Sequence, residues 1–312
     1  MSEIKKVGIA GAGTMGFSLA QIIAKHGYEV YLYDIFEQAL EKAKKIMKLN
    51  QETEVKENIL TQEESDALMA RIQFGTDPQG FKDVDFLIEA ILEKIDIKHK
   101  FWSETSKIVK PDAILVSNTS GLSITKIAEV IVNPERFGGM HWINPPHIIP
   151  LVEVISGEKT SDETASTVYE FCEILGKKPV RIKDAPGFAL NRVQFAILRE
   201  CLHIYENGIA SIEDIDKVMK YGLGPRYAVF GPFEVADLGG LDIFHNISSY
   251  LFADLGTEKD SFGKLKENFE NNHLGVKNGA GFYDYSNGRD MEVIRYRDEM
   301  YTKVAKVLFG QD

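Results

Sequence analysis

Between Lys6 and Gly16 the chain reads KVGIAGAGTMG, a short apolar run that breaks into Gly-x-Gly-x-x-Gly and then takes up helical spacing. That pattern leaves few options for the fold. Gly11 permits a tight strand-to-helix turn, Gly13 has no side chain to hold the backbone away from a pyrophosphate, and Gly16 lets the helix pack closely on the strand. The first-turn amides, at Gly13, Thr14 and Met15, then face the phosphates of a dinucleotide. The next residues complete the unit. A helix runs to about His26, Gly27 ends it, and Glu29–Tyr33 reads as a second strand with Asp34 at its tip. Asp34 lies 18 positions after Gly16, where a carboxylate accepts from the adenosine ribose hydroxyls and repels a 2′-phosphate, which selects NAD over NADP. A Gly-rich turn followed by a helix-capping Asp is the plainer reading, but it leaves the common register of strand, glycines, helix and acid unexplained.

At 312 residues the chain exceeds one typical domain, so two are expected. Through residue 183, strands near 6–10, 30–33, 72–74, 85–88, 114–117, 137–140, 151–155 and 179–182 alternate with helical stretches, the pattern of a doubly wound α/β, Rossmann-type domain. Two charge-rich helices, about 37–50 and 61–70, intervene as an exposed hairpin, with Thr61-Gln62-Glu63-Glu64 as a capping box. After Lys183 the strand signals stop. Val193, Ala196, Ile197, Cys201 and Ile204 fall at helical spacing, so 184–312 reads as a smaller all-helical domain whose apolar content suits a face buried against a second subunit.

A net charge of −11 with no basic run argues against nucleic acid and against anionic membranes as partners. Cys172 and Cys201 sit among apolar residues and outside any metal-ligand spacing, which reads as two buried free thiols and no metal. No apolar run reaches 18 residues, and Met1–Lys6 runs straight into the first strand, so a cytoplasmic protein is expected.

In an open α/β sheet the chemistry occurs beyond the carboxyl ends of the strands. Ser117-Asn118-Thr119-Ser120, His141-Trp142-Ile143-Asn144-Pro145 and Leu151-Val152-Glu153-Val154-Ile155 fall there, and Asn191-Arg192 opens the helical part. Alcohol oxidation by NAD needs a base for the hydroxyl proton as hydride leaves carbon, a task that suits imidazole. His141 is the candidate base and Glu153 the carboxylate that fixes its tautomer and stabilises the imidazolium. Taken singly, His141 satisfies a loop carbonyl and Glu153 is a solvent-facing strand residue. Together behind a dinucleotide fold, they read as a catalytic pair.

These motifs resemble the L-3-hydroxyacyl-CoA dehydrogenases over nearly the whole chain: GAGTMG, Glu89-Ala90 with Glu93 and Lys98, SNTS, His-x-x-Asn-Pro, LVEVI, Pro-Gly-Phe-x-x-Asn-Arg, Gly-Pro-Phe-Glu, and Lys-x-Gly-x-Gly-Phe-Tyr at 277–283. The resemblance implies His141 as base paired with Glu153, Ser117 and Asn191 bonded to the reacting oxygen, and Glu93, Lys98, Asn144 and Lys277 on the cofactor. It also implies a homodimer formed through the helical domain, and a cleft between domains to which Asn191 contributes.

Three departures concern the substrate. In 47–57, Asn50 stands near the position of a coenzyme A-gripping serine, and acids surround the position of its lysine, although Lys44, Lys45, Lys48 and Lys56 offset them. Asn-Pro-Pro-His147-Ile-Ile-Pro150 replaces the more usual Asn-Pro-Val-Pro-Val-Met-Lys, and Gly224-Pro225-Arg226-Tyr227 is similar to relatives that oxidise small free 3-hydroxy acids. Arg226 is then a candidate clamp for a substrate carboxylate, or else a helix-end or interface ion pair. A 3-hydroxyacyl-CoA is the expected substrate, a small non-CoA 3-hydroxy acid the alternative, and a non-catalytic NAD-binding dimer the remote one.

Overall fold

The structure, a computed structural model, describes residues 4–310. Contacts divide the chain into two units, one up to Arg192 and one from Val193 onward.

The first unit is built on an eight-stranded sheet: β1 (Lys6–Ala10), β2 (Glu29–Tyr33), β3 (Ile72–Gly75), β4 (Phe86–Glu89), β5 (Ile114–Ser117), β6 (Phe137–Trp142), β7 (Leu151–Ser156) and β8 (Lys178–Lys183). Their spatial order is β3-β2-β1-β4-β5-β6-β7-β8. β1 to β6 run parallel, β7 turns back antiparallel to β6, and β8 follows β7 in parallel. The inner strands are buried on both faces, as a doubly wound sheet requires, while the edge strands β3 and β8 are partly exposed. Six helices accompany them: α1 (Thr14–Lys25), α2 (Glu37–Lys56), α3 (Gln62–Ala70), α4 (Ile95–Thr105), α5 (Ile124–Ile127) and α6 (Asp162–Ile174). One core layer joins Leu19 and Ile23 of α1, Leu40 and Met47 of α2 and Phe171 of α6 to the sheet, while Phe81, Trp102, Ile124 and Phe137 belong to the other.

The helical hairpin is present, its first arm longer than the sequence pattern suggests, and Thr61 and Glu64 close the capping box. The junction after β8 is tied to the sheet, since the Asp184 carboxylate accepts from Ser123 Oγ at 2.7 Å and from the Thr125 amide at 2.8 Å.

α7 (Leu190–Glu206) starts in the first unit and continues into the second. The second unit adds α8 (Ile212–Lys217), a π-helical stretch at Val218–Leu223, α9 (Gly224–Tyr227), α10 (Pro232–Gly239), α11 (Leu241–Leu251), α12 (Gly263–Glu270) and α13 (Arg289–Phe309). Its only extended pairing among the described residues is a pair of isolated bridges, Gly275 with Ala280 and Ala280 with Asp284. From Val193 on, only Leu202, Ile215, Gly256, Asn268 and Ala305 are buried, whereas Phe195, Phe233, Leu238, Leu241, Phe252 and Val307 are strongly exposed. Cys201 is half-buried rather than buried, and Cys172 is fully enclosed, its thiol pushed up to about 12 by burial.

Candidate functional site

The glycine turn has the shape a dinucleotide needs. A Cβ on Gly16 would lie 1.7 Å from the Gly11 carbonyl oxygen, so helix and turn touch there without room for a methyl group. Gly13 is the opposite case. It is exposed at the start of α1, no side chain caps the helix, and a Cβ there would meet nothing within 4 Å. The free first-turn amides therefore open onto unfilled space, which suits a pyrophosphate. Asp34 stands at the end of β2 and accepts from the Ala12 amide at 2.8 Å and the Phe36 amide at 3.0 Å. Each carboxylate oxygen keeps a lone pair for ribose hydroxyls. These residues fit NAD.

Because β6 and β7 are antiparallel neighbours, His141 and Glu153 fall directly opposite each other in the register, with both side chains on one face. His141 Nδ1 and Glu153 Oε2 lie 2.8 Å apart; the residues are 4% and 1% exposed. An ionised carboxylate only accepts, so Nδ1 carries the proton and Nε2 presents a lone pair, for which no described residue serves as partner. The second carboxylate oxygen, Oε1, accepts from the amides of Ala189 and Leu190, both at 2.9 Å. Burial pushes the Glu153 carboxyl up, but the bond from His141 and these two amides outweigh it and hold the group below its ordinary 4.5. Phe188, fully buried with φ of 51°, packs its ring 5.7 Å from the imidazole.

Glu153 thus fastens the start of α7, and the next residue along that helix is Asn191. Its side-chain amide donates to the Ser120 carbonyl oxygen at 2.6 Å. The sequence places Asn191 in the helical domain, yet it belongs to the first unit, because these bonds hold the opening turn of α7 to the sheet.

Two expected site residues lie in a buried network. Ser117 is fully buried, and its hydroxyl donates to Glu89 Oε2 at 2.7 Å. Lys98 is 0% exposed; its ammonium lies 2.5 Å from Glu89 Oε1 and 3.3 Å from Glu93 Oε2. Trp102 Nε1 and the Ile91 amide also donate to Glu89, which makes that glutamate the centre of a buried network. The sequence motif names Glu89 but gives it no role, although an acid at the end of an otherwise apolar central strand is the available signal. Ser120, three residues beyond Ser117, is exposed, and its hydroxyl has no partner among the described residues. It was equally legible in the SNTS motif.

Glu93 is half-exposed at the mouth of this network. Burial raises its carboxyl, but the Thr119 hydroxyl at 2.5 Å, the charge of Lys98 and the Ser120 amide at 2.8 Å bring it below its ordinary value. Asn144 is exposed on the loop after β6, and the Asn144–Pro145 bond is cis. Lys277 and Arg226 are exposed residues of the second unit, and Arg226 has no ion-pair partner among the described residues.

On the hairpin, α2 carries five lysines and four glutamates. Lys44 pairs with Glu41 at 2.7 Å, Lys48 with Glu52 at 3.9 Å, and Lys25 of α1 reaches Glu54 at 3.9 Å. Asn50 Nδ2 donates to Gln21 Oε1 at 3.0 Å. Glutamates at 37 and 41 precede, and at 52 and 54 follow, a run of lysines at 42, 44, 45 and 48.

Residues 6–185 match the family model described as 3-hydroxyacyl-CoA dehydrogenase, NAD binding domain, and residues 187–285 match the corresponding C-terminal domain. A 5-formyl-3-hydroxy-2-methylpyridine 4-carboxylate 5-dehydrogenase of Mesorhizobium japonicum is 36% identical over 99% of this chain and 100% of its own. A 3-hydroxybutyryl-CoA dehydrogenase of Clostridioides difficile is 35% identical over 90% of this chain and 99% of its own. Among solved structures, an NAD+-dependent dismutase with the pyridine-carboxylate dehydrogenase activity superposes with a TM-score of 0.91 at 35% identity, covering 99% of this chain and 100% of that one. (S)-3-hydroxybutyryl-CoA dehydrogenase from Ralstonia eutropha gives 0.77 at 37% identity, covering 91% and 100%. With its glycine turn fitted to NAD and both family domains matched in order, the chain belongs to the 3-hydroxyacyl-CoA dehydrogenase family of NAD-dependent oxidoreductases.

Proposed function

We propose that the chain oxidises the hydroxyl group of a small, carboxylate-bearing substrate that is not a coenzyme A thioester, with His141 as general base. The hydrogen bond between His141 and Glu153 carries the chemical part of this reading. His141 Nε2 takes the hydroxyl proton while the carbon gives up hydride, and Glu153 stabilises the imidazolium that results. NAD, when bound, supplies the hydride acceptor. Asn191 and Ser120 stand beside one another with polar groups to spare, and we assign them, with Ser117, to the oxygen that becomes a carbonyl. Gly13, Thr14, Met15 and Asp34 hold the cofactor in this reading, joined by Glu93, Asn144 and Lys277.

The substrate class is supported by two observations. The pyridine-carboxylate dehydrogenase aligns over its entire length and nearly all of this chain, whereas the C-terminal family model ends at 285, before α13. Lys44 and Lys48 of α2 are each paired with a glutamate, and Glu52 and Glu54 follow Asn50, which does not favour the 3′-phosphate of coenzyme A. Arg226, a planar cation free of a carboxylate partner, is the residue we assign to the substrate's carboxylate.

A 3-hydroxyacyl-CoA remains the second reading, favoured by the 3-hydroxybutyryl-CoA dehydrogenases that align over about nine-tenths of the chain. NADH absorbance, followed with free 3-hydroxy acids, hydroxymethyl and formyl aromatic carboxylates, and 3-hydroxybutyryl-CoA, separates the two. Turnover confined to the thioester would reject the proposal, and an unchanged Michaelis constant in Arg226→Ala would remove that residue from it.

A further inference from the structure

Lys177 is a lysine in the wrong place for an ordinary lysine. It is 7% exposed, in the turn between α6 and β8, and no carboxylate of a described residue is within ion-pair distance. Its ammonium donates instead to the Pro146 carbonyl oxygen at 2.6 Å and the Ile149 carbonyl oxygen at 3.3 Å, and lies 5.4 Å from the centre of the Trp142 ring. Burial pulls its pKa from 10.5 to about 8, the mark of a cation enclosed without an anion. Filling this space with an apolar side chain would avoid that cost, so the carbonyls it holds are the reason to look for.

Those carbonyls belong to residues 143–150, the loop that joins β6 to β7. Prolines at 145, 146 and 150 remove three amide donors from it, and the Ile148 and Ile149 amides both turn to the Pro145 carbonyl at 3.1 and 3.0 Å. At the entry to the loop, Asn118 Oδ1 accepts from the amide of Trp142, the last residue of β6, at 2.8 Å. At its exit the Lys178 amide donates to the Pro150 carbonyl at 2.8 Å, and between the two Lys177 holds two of the loop's own carbonyls. Since β6 ends, and β7 and β8 begin, at the same edge of the sheet, the lysine arrives where the parallel strands present their carboxyl ends. Asn144 is exposed on that loop, three residues after His141.

We propose that Lys177 is a positioning residue for cofactor binding: its ammonium pins the 143–150 loop and so holds Asn144 at the cofactor edge of the sheet. The proposal rests on the reading of Asn144 as a cofactor contact. It acts on NAD affinity and leaves the proton transfer at His141 alone.

The test combines Lys177→Met, Asn144→Ala and the double variant in the full chain, with NAD affinity from calorimetry and hydrogen exchange of 143–150 measured without cofactor. Lys177→Met is expected to weaken NAD binding about tenfold, to speed exchange at Ile148 and Ile149 by about as much, and to leave kcat at saturating NAD within about threefold. In the Asn144→Ala background it should weaken NAD binding no further, because both changes remove one contact. Unchanged exchange in Lys177→Met overturns the pin. Additive losses of affinity in the double variant overturn the route through Asn144. Wild-type NAD affinity in Asn144→Ala defeats the cofactor reading itself, a failure distinct from the first. If Lys177→Met does not fold, Lys177→Gln keeps an amide donor for the carbonyls and carries the same comparison, with an effect of about threefold.

Discussion

At the scale of single residues, what matters is which hydrogen bond each polar group has already made. Glu153 spends one oxygen on His141 and the other on two backbone amides, so replacing it with Gln changes both the tautomer and the anchor. Glu153→Gln is expected to lower kcat by about 10²- to 10⁴-fold with a much smaller effect on NAD affinity; stopped-flow NADH formation measures the first and calorimetry the second. The same carboxyl sets a pH dependence. Its folded pKa lies below the ordinary 4.5, so the unfolded chain binds its proton more readily, and the stability it contributes is present above about pH 4.5 and lost as pH falls through the folded value. Thermal midpoints between pH 3 and pH 6 should therefore fall more steeply for the wild type than for Glu153→Gln; parallel curves would contradict the linkage. His141 and Glu153 were legible in the sequence because their residue types and strand positions allow one shared task. The surroundings of Ser117 were not legible: on a buried strand a hydroxyl serves the nearest buried acid, here Glu89, and only the register shows that the two are neighbours. The same holds for Lys98.

At the scale of elements, the glycine turn, the hairpin and every strand could be placed from spacing alone, since periods of two and 3.6 and the Gly and Asp punctuation are local properties. The length of α2 was less legible. Its last turn, past Asn50, is polar, and its end is set by Asn58 in the left-handed region instead of by a Gly or Pro. The two glycines at the mouth of α1 separate folding from binding. Gly13 has an ordinary φ of −68° and open space around it, so Gly13→Val should fold with the wild-type thermal midpoint while losing NAD affinity by at least about tenfold. Gly16→Ala places a methyl group against the Gly11 carbonyl and should lower the midpoint itself. Differential scanning fluorimetry with and without NAD distinguishes these outcomes, and equal midpoints in all three proteins would contradict the turn geometry.

At the scale of the whole molecule, the two units differ in how complete they are. The first buries both faces of its inner strands, while the second leaves Phe233, Leu238, Leu241, Phe252 and Val307 facing outward with almost nothing enclosed. Isolated chains rarely carry so much apolar surface in water. A second copy of the chain is the partner we infer, and light scattering behind a sizing column should give twice the 35.0 kDa chain mass at micromolar concentration; a monomer there would reject it. The sequence suggested this face through its composition but could not say which helices form it, because exposure depends on packing that no local pattern encodes. No helix among the described residues is long and apolar enough to cross a membrane. The division of labour at Glu153 reaches as far as this scale. One carboxylate grips both the arrival of a long helix and an imidazole, so a motion that lifts that helix's first turn from the sheet strips away two of the three hydrogen bonds that orient the acid beneath the ring.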